Sequence, residues 1–198
     1  MPNSTENVKV MAGEVSGYAF KGAADAANKK FTPEMSKVRS APSGFDLMGF
    51  IGEDGVTNAR STESEDKKDL NGTVIGTIKT GYDETFKFVL CERNKAALQV
   101  VYGDANVAEP TSGGTAKTGV IKHTGGFDAT RSYLFRFVSG ETDTTWEYTD
   151  LYVPYAKTVE VGEVKYSGTG FWECEVTVKS LPDASGVNAY EYTNIANK

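Results

Sequence analysis

Residues 81–103 read GYDETFKFVLCERNKAALQVVYG, and they decide the fold. The first half is rich in β-branched and aromatic residues, which favour strands. The two-residue period of a strand places Phe86, Phe88 and Leu90 on one face. The second half carries apolar residues at helical spacing and ends at Gly103, where a helix C′ residue with positive φ would lie. The stretch therefore predicts a long strand that passes directly into a short helix.

This helix is too short to be stable alone in water, since isolated helices need about 12–15 residues. We expect the helix to pack against the sheet through Leu98, Val101 and Tyr102. Strand and turn signals dominate the rest of the chain, so a single helix in mid-chain is a distinctive layout.

The composition is that of an ordinary globular protein, with 198 residues, 39% hydrophobic and 24% charged. We expect one domain over residues 1–198, with an N-terminal arm at 1–13 and a C-terminal arm at 181–198. The net charge is −6 with a single histidine. An acidic chain without a cluster of lysine and arginine residues is a poor candidate for binding nucleic acid, because phosphate binding needs clustered cations.

Two further classes of segment are not expected. The sequence contains no stretch of about 18 apolar residues, so we expect no membrane-spanning helix. The first 20 residues do not resemble a secretion signal. The two cysteines, Cys91 and Cys174, each fall in a predicted strand among apolar neighbours. We expect buried free thiols that act as small hydrophobes, although a disulfide remains open if their strands are neighbours.

Strand and turn signals recur along the chain and predict eight to ten strands, a number and spacing typical of a β-sandwich of two packed antiparallel sheets. Turns are predicted at 52–55, from Asp54-Gly55, and at 80–81. Loops are expected at 21–44, 62–72 and 104–119. The predicted strands cover 14–20, 45–51, 56–61, 73–79, 85–91, 120–122, 131–139, 144–153, 159–166 and 171–180.

Alternation within the later strands indicates which faces are buried. Trp172, Cys174, Val176 and Val178 point one way while charged and polar residues point the other. In strand 144–153 the aromatic residues Trp146, Tyr148 and Tyr152 share one face. The C-terminal segment carries Tyr190, Tyr192 and Ile195, and we expect this aromatic tail to dock on its own body or on a neighbour.

Candidate chemistry is sparse. His123 is the only histidine, so a histidine-rich metal site is impossible, and we expect it at a surface or strand end. Ala116-Lys117-Thr118 fails the phosphate-loop pattern, which needs glycine at 111 and 116. The acidic turns 53–55 and 141–143 lack the alternating oxygen ligands of a calcium loop. We therefore predict no catalytic, cofactor-binding or metal-binding residues, and a protein that is not an enzyme but acts through its surfaces.

Three segments carry a family resemblance. Residues 45–57, FDLMGFIGEDGVT, resemble the "lGyiseDGvt" stretch of siphophage major tail tube proteins of the actinobacteriophage type. The strand and helix at 86–103 are similar to the "Etn…vlel.yG" stretch of that family, with Glu92 and Asn94 in its first part. Leu181-Pro182-Asp183 through Tyr192 is similar to the "a.pD..G…ey" ending. The order and spacing of the three segments agree with the family.

The resemblance implies two packed antiparallel sheets with a flanking helix and extended loops and termini. It implies hexameric rings that stack into a hollow tube, which conducts the genome into the host cell. The implied partners are other copies of the chain and further tail proteins (tape measure, tail terminator and distal tail). DNA would pass through an acidic lumen without specific binding, since like charges repel within a Debye length of about 8 Å. The implied location is the virion tail, assembled in the host cytoplasm, with no cofactor and no membrane.

Two alternatives stay open. One is a tube subunit of a contractile injection or secretion system, which would share the fold but export protein. The other is a β-sandwich module for carbohydrate or a cell surface, in which Trp146, Tyr148 and Tyr152 would line a sugar platform, although aromatics on a regular strand are more often core. For a tube subunit, residues 53–72 are the predicted stacking loop.

Overall fold

The computed structural model of the protein describes residues 15–27, 31–33, 41–108, 119–125, 129–139, 147–164 and 172–193. Within these ranges lie nine strands, one α-helix and one 3₁₀ helix, which confirms a mainly β fold with a single short helix. The predicted arm at 1–13 and the acidic turn at 141–143 lie outside them. The elements are β1 (Val15–Ala23), β2 (Phe45–Lys68), β3 (Val74–Leu90), α1 (Lys95–Tyr102), the 3₁₀ helix (Asp104–Asn106), β4 (Val107–Ala108), β5 (Val120–Ile121), β6 (Thr130–Ser139), β7 (Glu147–Val161), β8 (Cys174–Ser180) and β9 (Tyr190–Thr193).

The strands form two antiparallel sheets, as predicted. Seven strands share one sheet in the order β6-β1-β2-β3-β8-β7-β9, and β4 pairs with β5 in a small second sheet. β6 also pairs with β7, so β6, β1, β2, β3, β8 and β7 close a ring. Along β7, β8 pairs with Ala156–Val161 and β9 with Thr149–Tyr152. Two halves of the large sheet therefore face each other across one core, as packed layers do.

The inner core is built from the faces that the sequence indicated. Phe86, Phe88 and Leu90 are at most 1% exposed. In β8 every second residue from Cys174 to Ser180 is buried, which confirms the predicted alternation. Side chains from all six ring strands meet there, among them Ala19, Met48, Tyr133, Phe135, Val153, Cys174 and Val176.

A second apolar cluster covers the outside of the same sheet. Phe20 and Leu134 belong to it, and they alternate along β1 and β6 with the inner residues Ala19 and Phe135. Phe31, Phe45 and Tyr152 complete the buried part, and Tyr18, Tyr190 and Tyr192 pack against it. The aromatic tail thus docks on its own body, because β9 pairs with β7 and brings its two tyrosines onto this cluster. Ile195 lies outside the described residues.

The outer face also holds a buried ion pair. Arg136 Nε and Nη2 donate to the two carboxylate oxygens of Asp150, each at 2.7 Å, and both side chains are at most 2% exposed. The two residues are directly opposite each other on β6 and β7. A bidentate pair of this kind fixes the register of its strands, because a one-residue slip would leave two buried charges unpaired.

Helix α1 packs its buried side onto the inner core through Ala97, Val100 and Val101. Val101 and Tyr102 contact the core as expected. Val100 also belongs to the core and has no exposed surface, although it is not among the contact residues expected from the sequence. The Asn94 side chain caps the start by accepting from the Ala97 N–H at 2.9 Å. At the end Gly103 has φ +92°, and its N–H bonds to the Gln99 carbonyl.

The predicted turns at 52–55 and 80–81 are wrong, because β2 and β3 run straight through both. Ile51 pairs with Leu90 and the next pair is Val56 with Phe88, so residues 52–55 form a bulge. Residue 80 falls at a second register shift, beside Glu63. The predicted loop at 62–72 is also wrong up to Lys68, since it is strand that ends in a turn around Asn71-Gly72. Two predicted hairpins are therefore one long hairpin.

A predicted break before residue 159 is wrong as well. β7 continues through Pro154, which sits beside the register shift between β6 and β7 near Tyr133. The Pro154 carbonyl accepts from the Asp25 N–H at 2.8 Å, so a chain segment after β1 is tied to this point. Proline is tolerated in a strand where its missing N–H is not needed by the ladder.

Both cysteines are free, as expected, and Cys174 is buried while Cys91 is half-buried. Burial raises the pKa of the Cys174 thiol to about 11 and also raises that of Cys91. Neither thiol is therefore activated for nucleophilic chemistry at neutral pH.

Candidate assembly surfaces

His123 is exposed and stacks on Tyr102, with ring centroids 4.5 Å apart. Within the described ranges, no group of three or more His, Cys, Asp or Glu side chains could hold a metal ion. The failed phosphate-loop residues 116–118 lie outside those ranges. Tyr148 and Tyr152 are 7% and 0% exposed, so they are core residues and cannot form a sugar platform. Trp146 falls outside the described residues.

The most prominent surface is a hairpin arm, which we define as residues 57–83. Every residue from 57 to 80 is exposed. β3 pairs with β8 only from Thr85 onward, opposite Ala59. From Ala59 to the turn at Asp69 the arm therefore extends roughly 30 Å at about 3.3 Å per residue. The predicted stacking loop 53–72 covers the bulge, the first strand of this arm and the turn at its tip, but not the second strand.

The arm exposes an unusual amount of apolar surface. Leu70 is fully exposed, and Ile75 is 71% and Ile78 51% exposed. Val74 and Tyr82 add to the same strand. No described strand pairs with the outer edge of β3 between Val74 and Glu84. A long edge with apolar side chains and unpaired backbone groups is a template for association with another chain.

The root of the arm is held by Glu84, whose side chain is buried. Its carboxylate accepts from Asn58 Nδ2 at 2.7 Å, from Arg60 Nε at 3.0 Å and from the Tyr82 hydroxyl at 3.0 Å. All four residues lie where the arm leaves the ring, beside a groove of about 450 Å³ that the segment 186–191 also lines. This network sets the direction in which the arm leaves the body. No sequence pattern pointed to it, because the four residues meet only through the β2–β3 register.

The first two family-like segments contact each other next to the arm. The Phe50 N–H donates to Glu92 Oε1 at 3.2 Å, and Asn94 Nδ2 donates to the Met48 carbonyl at 2.9 Å. Gly49 lies between them with φ +117°, and a Cβ there would come within 2.6 Å of the Glu92 carboxyl carbon. Glu92 and Asn94 therefore fasten the start of α1 to β2, which explains these residue types in physical terms.

The third family-like segment is built around Asp183. One carboxylate oxygen accepts from the Ser185 and Val187 N–H groups at 2.8 and 3.0 Å, and the other accepts from the Tyr190 hydroxyl at 2.7 Å. Burial alone would raise the pKa of Asp183, but these hydrogen bonds outweigh it and lower the pKa. The turn delivers Tyr190 to the start of β9 and so positions the C-terminal strand.

A second surface is the groove between α1 and the β4–β5 pair, which has a volume of about 320 Å³. Its apolar lining includes Leu98, Val107 and Ile121, and two exposed cations, Arg93 and Lys95, also line it. The groove lies on the body of the molecule, whereas the arm projects from it.

No protein-family model matches the chain, and no curated protein matches it. A similar solved structure is a chain in the cryo-EM structure of the anti-feeding prophage baseplate, symmetrised six-fold. The identity is 7%, the TM-score 0.41, and the match covers 94% of this chain and 97% of that one. Within the part of the chain that the structure describes, no helix is both long and apolar enough to cross a membrane.

Proposed function

We propose that this protein is a structural subunit of a bacteriophage tail tube. Copies would join into hexameric rings, and the rings would stack into a hollow tube that conducts the genome into the host cell. The observation that carries the proposal is the arm: a hairpin exposed at every residue from 57 to 80, with large apolar side chains along one strand. Monomeric proteins rarely expose large apolar patches to water, and a patch of this kind marks a site of association with another protein.

Two further features support the proposal. The three segments that resemble siphophage tail tube proteins form structural contacts: Glu92 and Asn94 fasten the helix to β2, and Asp183 builds the turn before β9. The ring closes the edges of six strands, and among the described strands the arm presents a long pair of edges for association.

The proposed role needs no catalysis. The net charge of −6 suits a lumen through which DNA passes without adhering, since phosphate and carboxylate repel at short range. Partners would be further copies of the chain and other tail proteins, and the site of action would be the virion tail.

Negative-stain electron microscopy of the concentrated full chain tests the proposal. We expect rings with six-fold symmetry and tubes of uniform width, and a native mass of about six times 21.4 kDa for the smallest assembled species. A protein that stays monomeric at every concentration and salt condition, including in the presence of purified tail components, would overturn the proposal.

A further inference from the structure

The turn at the tip of the arm contains a dipeptide with its own chemistry. Asn71-Gly72 is the only place in the sequence where an asparagine is followed by glycine. At such a dipeptide the backbone nitrogen of the glycine attacks the side-chain amide carbon of the asparagine and closes a five-membered ring. Any other residue in the second position places a Cβ beside the attacking nitrogen and hinders its approach. The sequence therefore makes Asn71 the asparagine of this chain that is most prone to ring closure.

The structure leaves this dipeptide accessible. Both residues are exposed, and a Cβ at Gly72 would meet nothing within 4 Å. Within the described ranges, no hydrogen bond engages the side-chain amide of Asn71. The side-chain amides of other asparagines are held by hydrogen bonds from Nδ2 at 2.7, 2.9 and 2.7 Å, namely those of Asn58, Asn94 and Asn106. The amide carbon of Asn71 is thus both unblocked and free to rotate toward the backbone.

The same turn holds the attacking nitrogen in place. The Gly72 N–H donates to the Asp69 carbonyl at 3.0 Å, and the Asp69 N–H donates to the Thr73 carbonyl at 2.9 Å. The Asp69 carboxylate closes the turn further, since its Oδ1 accepts from the Asn71 and Thr73 N–H groups at 2.9 and 2.7 Å. Ring closure requires the Gly72 nitrogen to leave its carbonyl partner and approach the Asn71 side chain. The turn must therefore open before the reaction, and Asp69 opposes the opening.

Opening of the turn does not require the protein to unfold. The last ladder pair before the turn is Lys68 with Val74, and every residue of the ribbon from 57 to 80 is exposed. The tip is roughly 30 Å from the strands that pair with β8, at about 3.3 Å per residue. Local opening at the end of a solvated ribbon costs far less free energy than global unfolding. The reactive arrangement is therefore reached in the folded molecule.

We propose that Asn71 deamidates spontaneously in the folded protein, and that the Asp69 side chain sets the rate. The Gly72 nitrogen loses its proton to hydroxide and bonds to Asn71 Cγ, and the Cγ–Nδ2 bond breaks with release of ammonia. Water then opens the cyclic imide at either of its two carbonyl carbons, which leaves aspartate or isoaspartate at position 71. The whole conversion consumes one water molecule and needs no other reactant.

Both products change the tip of the arm. Each adds one negative charge beside Asp69. Isoaspartate also lengthens the backbone between the two N–H groups that the Asp69 carboxylate binds. The reaction needs no second copy of the chain, so its test is independent of the tube proposal.

Peptide mapping of the full chain tests the site. The protein is incubated at pH 7.5 and 37 °C, and samples are digested briefly with trypsin at pH 6, where ring closure is slow. Cleavage after Lys68 and Lys79 gives a peptide of residues 69–79, in which Asn71 carries the only side-chain amide. We expect deamidated forms of this peptide to accumulate, faster at higher pH, while the peptides that contain Asn58 and Asn188 stay unchanged. Asn71→Gln, for which the ring would be six-membered, should show no conversion.

Two aspartate variants test the part played by Asp69. Asp69→Ala removes the acceptor of two backbone N–H groups and should raise the rate about tenfold. Asp66→Ala removes the same charge from the strand behind the turn, where the carboxylate accepts from the Thr77 hydroxyl, and should leave the rate unchanged. Equal rates in the two variants would refute the control by Asp69.

A sample unfolded in guanidinium chloride gives the rate in the absence of the turn. If residues 69–79 deamidate in the unfolded chain but not in the folded protein, the turn blocks the reaction and the proposal is overturned. A peptide that stays intact in both samples overturns it as well. Conversion in the folded protein that is slower than in the unfolded chain, and that Asp69→Ala accelerates, is the result that supports it.

Discussion

Gly49 shows how one position joins two parts of this molecule. Its φ of +117° is a conformation that side chains with a Cβ rarely adopt, and the Glu92 side chain occupies the space that a Cβ would need. Glu92 cannot simply move aside, because its Oε1 accepts the Phe50 N–H. The same few residues hold β2, the segment after β3 and the start of α1 together.

Gly49→Ala should therefore destabilise the protein by about 1–3 kcal/mol, from backbone strain and loss of the Glu92 contact. The matched control is Gly76→Ala, because a Cβ at Gly76 meets nothing within 4 Å. We expect the control to change stability by no more than about 0.5 kcal/mol. Urea denaturation followed by tryptophan fluorescence measures both, and equal effects of the two substitutions would refute the role given to Gly49.

Asp183 makes stability depend on pH. Its folded-state pKa is lowered below the unfolded value of about 3.9, so its carboxylate stabilises the fold above that pH. The stabilisation is lost as the pH falls through the lower, folded-state pKa. Asp183→Asn should cost about 1–3 kcal/mol at pH 7, since the amide presents one acceptor oxygen instead of two.

Urea denaturation at pH 7 and at pH 3 measures this effect. The difference between the original protein and Asp183→Asn should shrink at the lower pH, where the carboxylate begins to protonate. Asp54→Asn, at an exposed position in the β2 bulge, serves as the control for the loss of one surface carboxylate. A difference that is the same at both pH values would show that the carboxylate charge is not what stabilises the turn.

The arm is the most exposed element of the described structure, and its exposure limits its stability. A two-stranded ribbon with solvent on both faces is marginally stable alone, and this arm is held mainly at its root by the Glu84 network. The arm contributes no residue to the core of the ring, because the buried residues of β3 begin at Glu84. The arm can therefore be shortened without touching the core.

Replacing residues 62–82 by Asn-Gly, which joins Ser61 to Asp83 through a two-residue turn, should leave the fold intact. Ser61 and Asp83 are directly opposite each other, so the register of the remaining strands is kept. We expect a melting temperature within a few degrees of the original and no rings or tubes by electron microscopy. Normal tubes from the shortened chain would show that the arm is not an assembly element.

At the scale of the whole molecule, the described residues include a closed ring of six strands and a projecting arm, and the contrast between the two should be visible in hydrogen exchange. Amides of β6, β1 and β7 lie in ladders with partners on both edges and pack on two apolar clusters. They should exchange only through global unfolding. Amides on the outer edge of the arm should exchange orders of magnitude faster in the monomer.

On assembly, the same arm amides should become protected while those of the ring change little. Hydrogen-exchange mass spectrometry of monomer and assembled fractions measures this difference. Protection confined to β9 or to the ring would place the contacts between copies elsewhere on the molecule.

Local pattern was enough to predict the elements whose faces are set by their own sequence. The alternation of Phe86, Phe88 and Leu90 and of Cys174, Val176 and Val178 identified buried faces, because a strand repeats every two residues whatever it pairs with. The position of α1 followed in the same way from helical spacing and from Asn94 and Gly103 at its ends. Residue types alone also excluded a histidine-rich metal site.

Only the tertiary structure decided what the turn signals mean. Asp54-Gly55 reads as a hairpin turn, yet Phe50 is already paired with Tyr18 of β1 and Val56 with Phe88 of β3, so the same residues form a bulge. The ring closure, the outer aromatic cluster and the Glu84 network likewise join residues far apart in the chain. Register between distant strands is a property of the whole packed sheet, and for this reason the arm, the surface on which the proposed function rests, emerged only when the strands were paired.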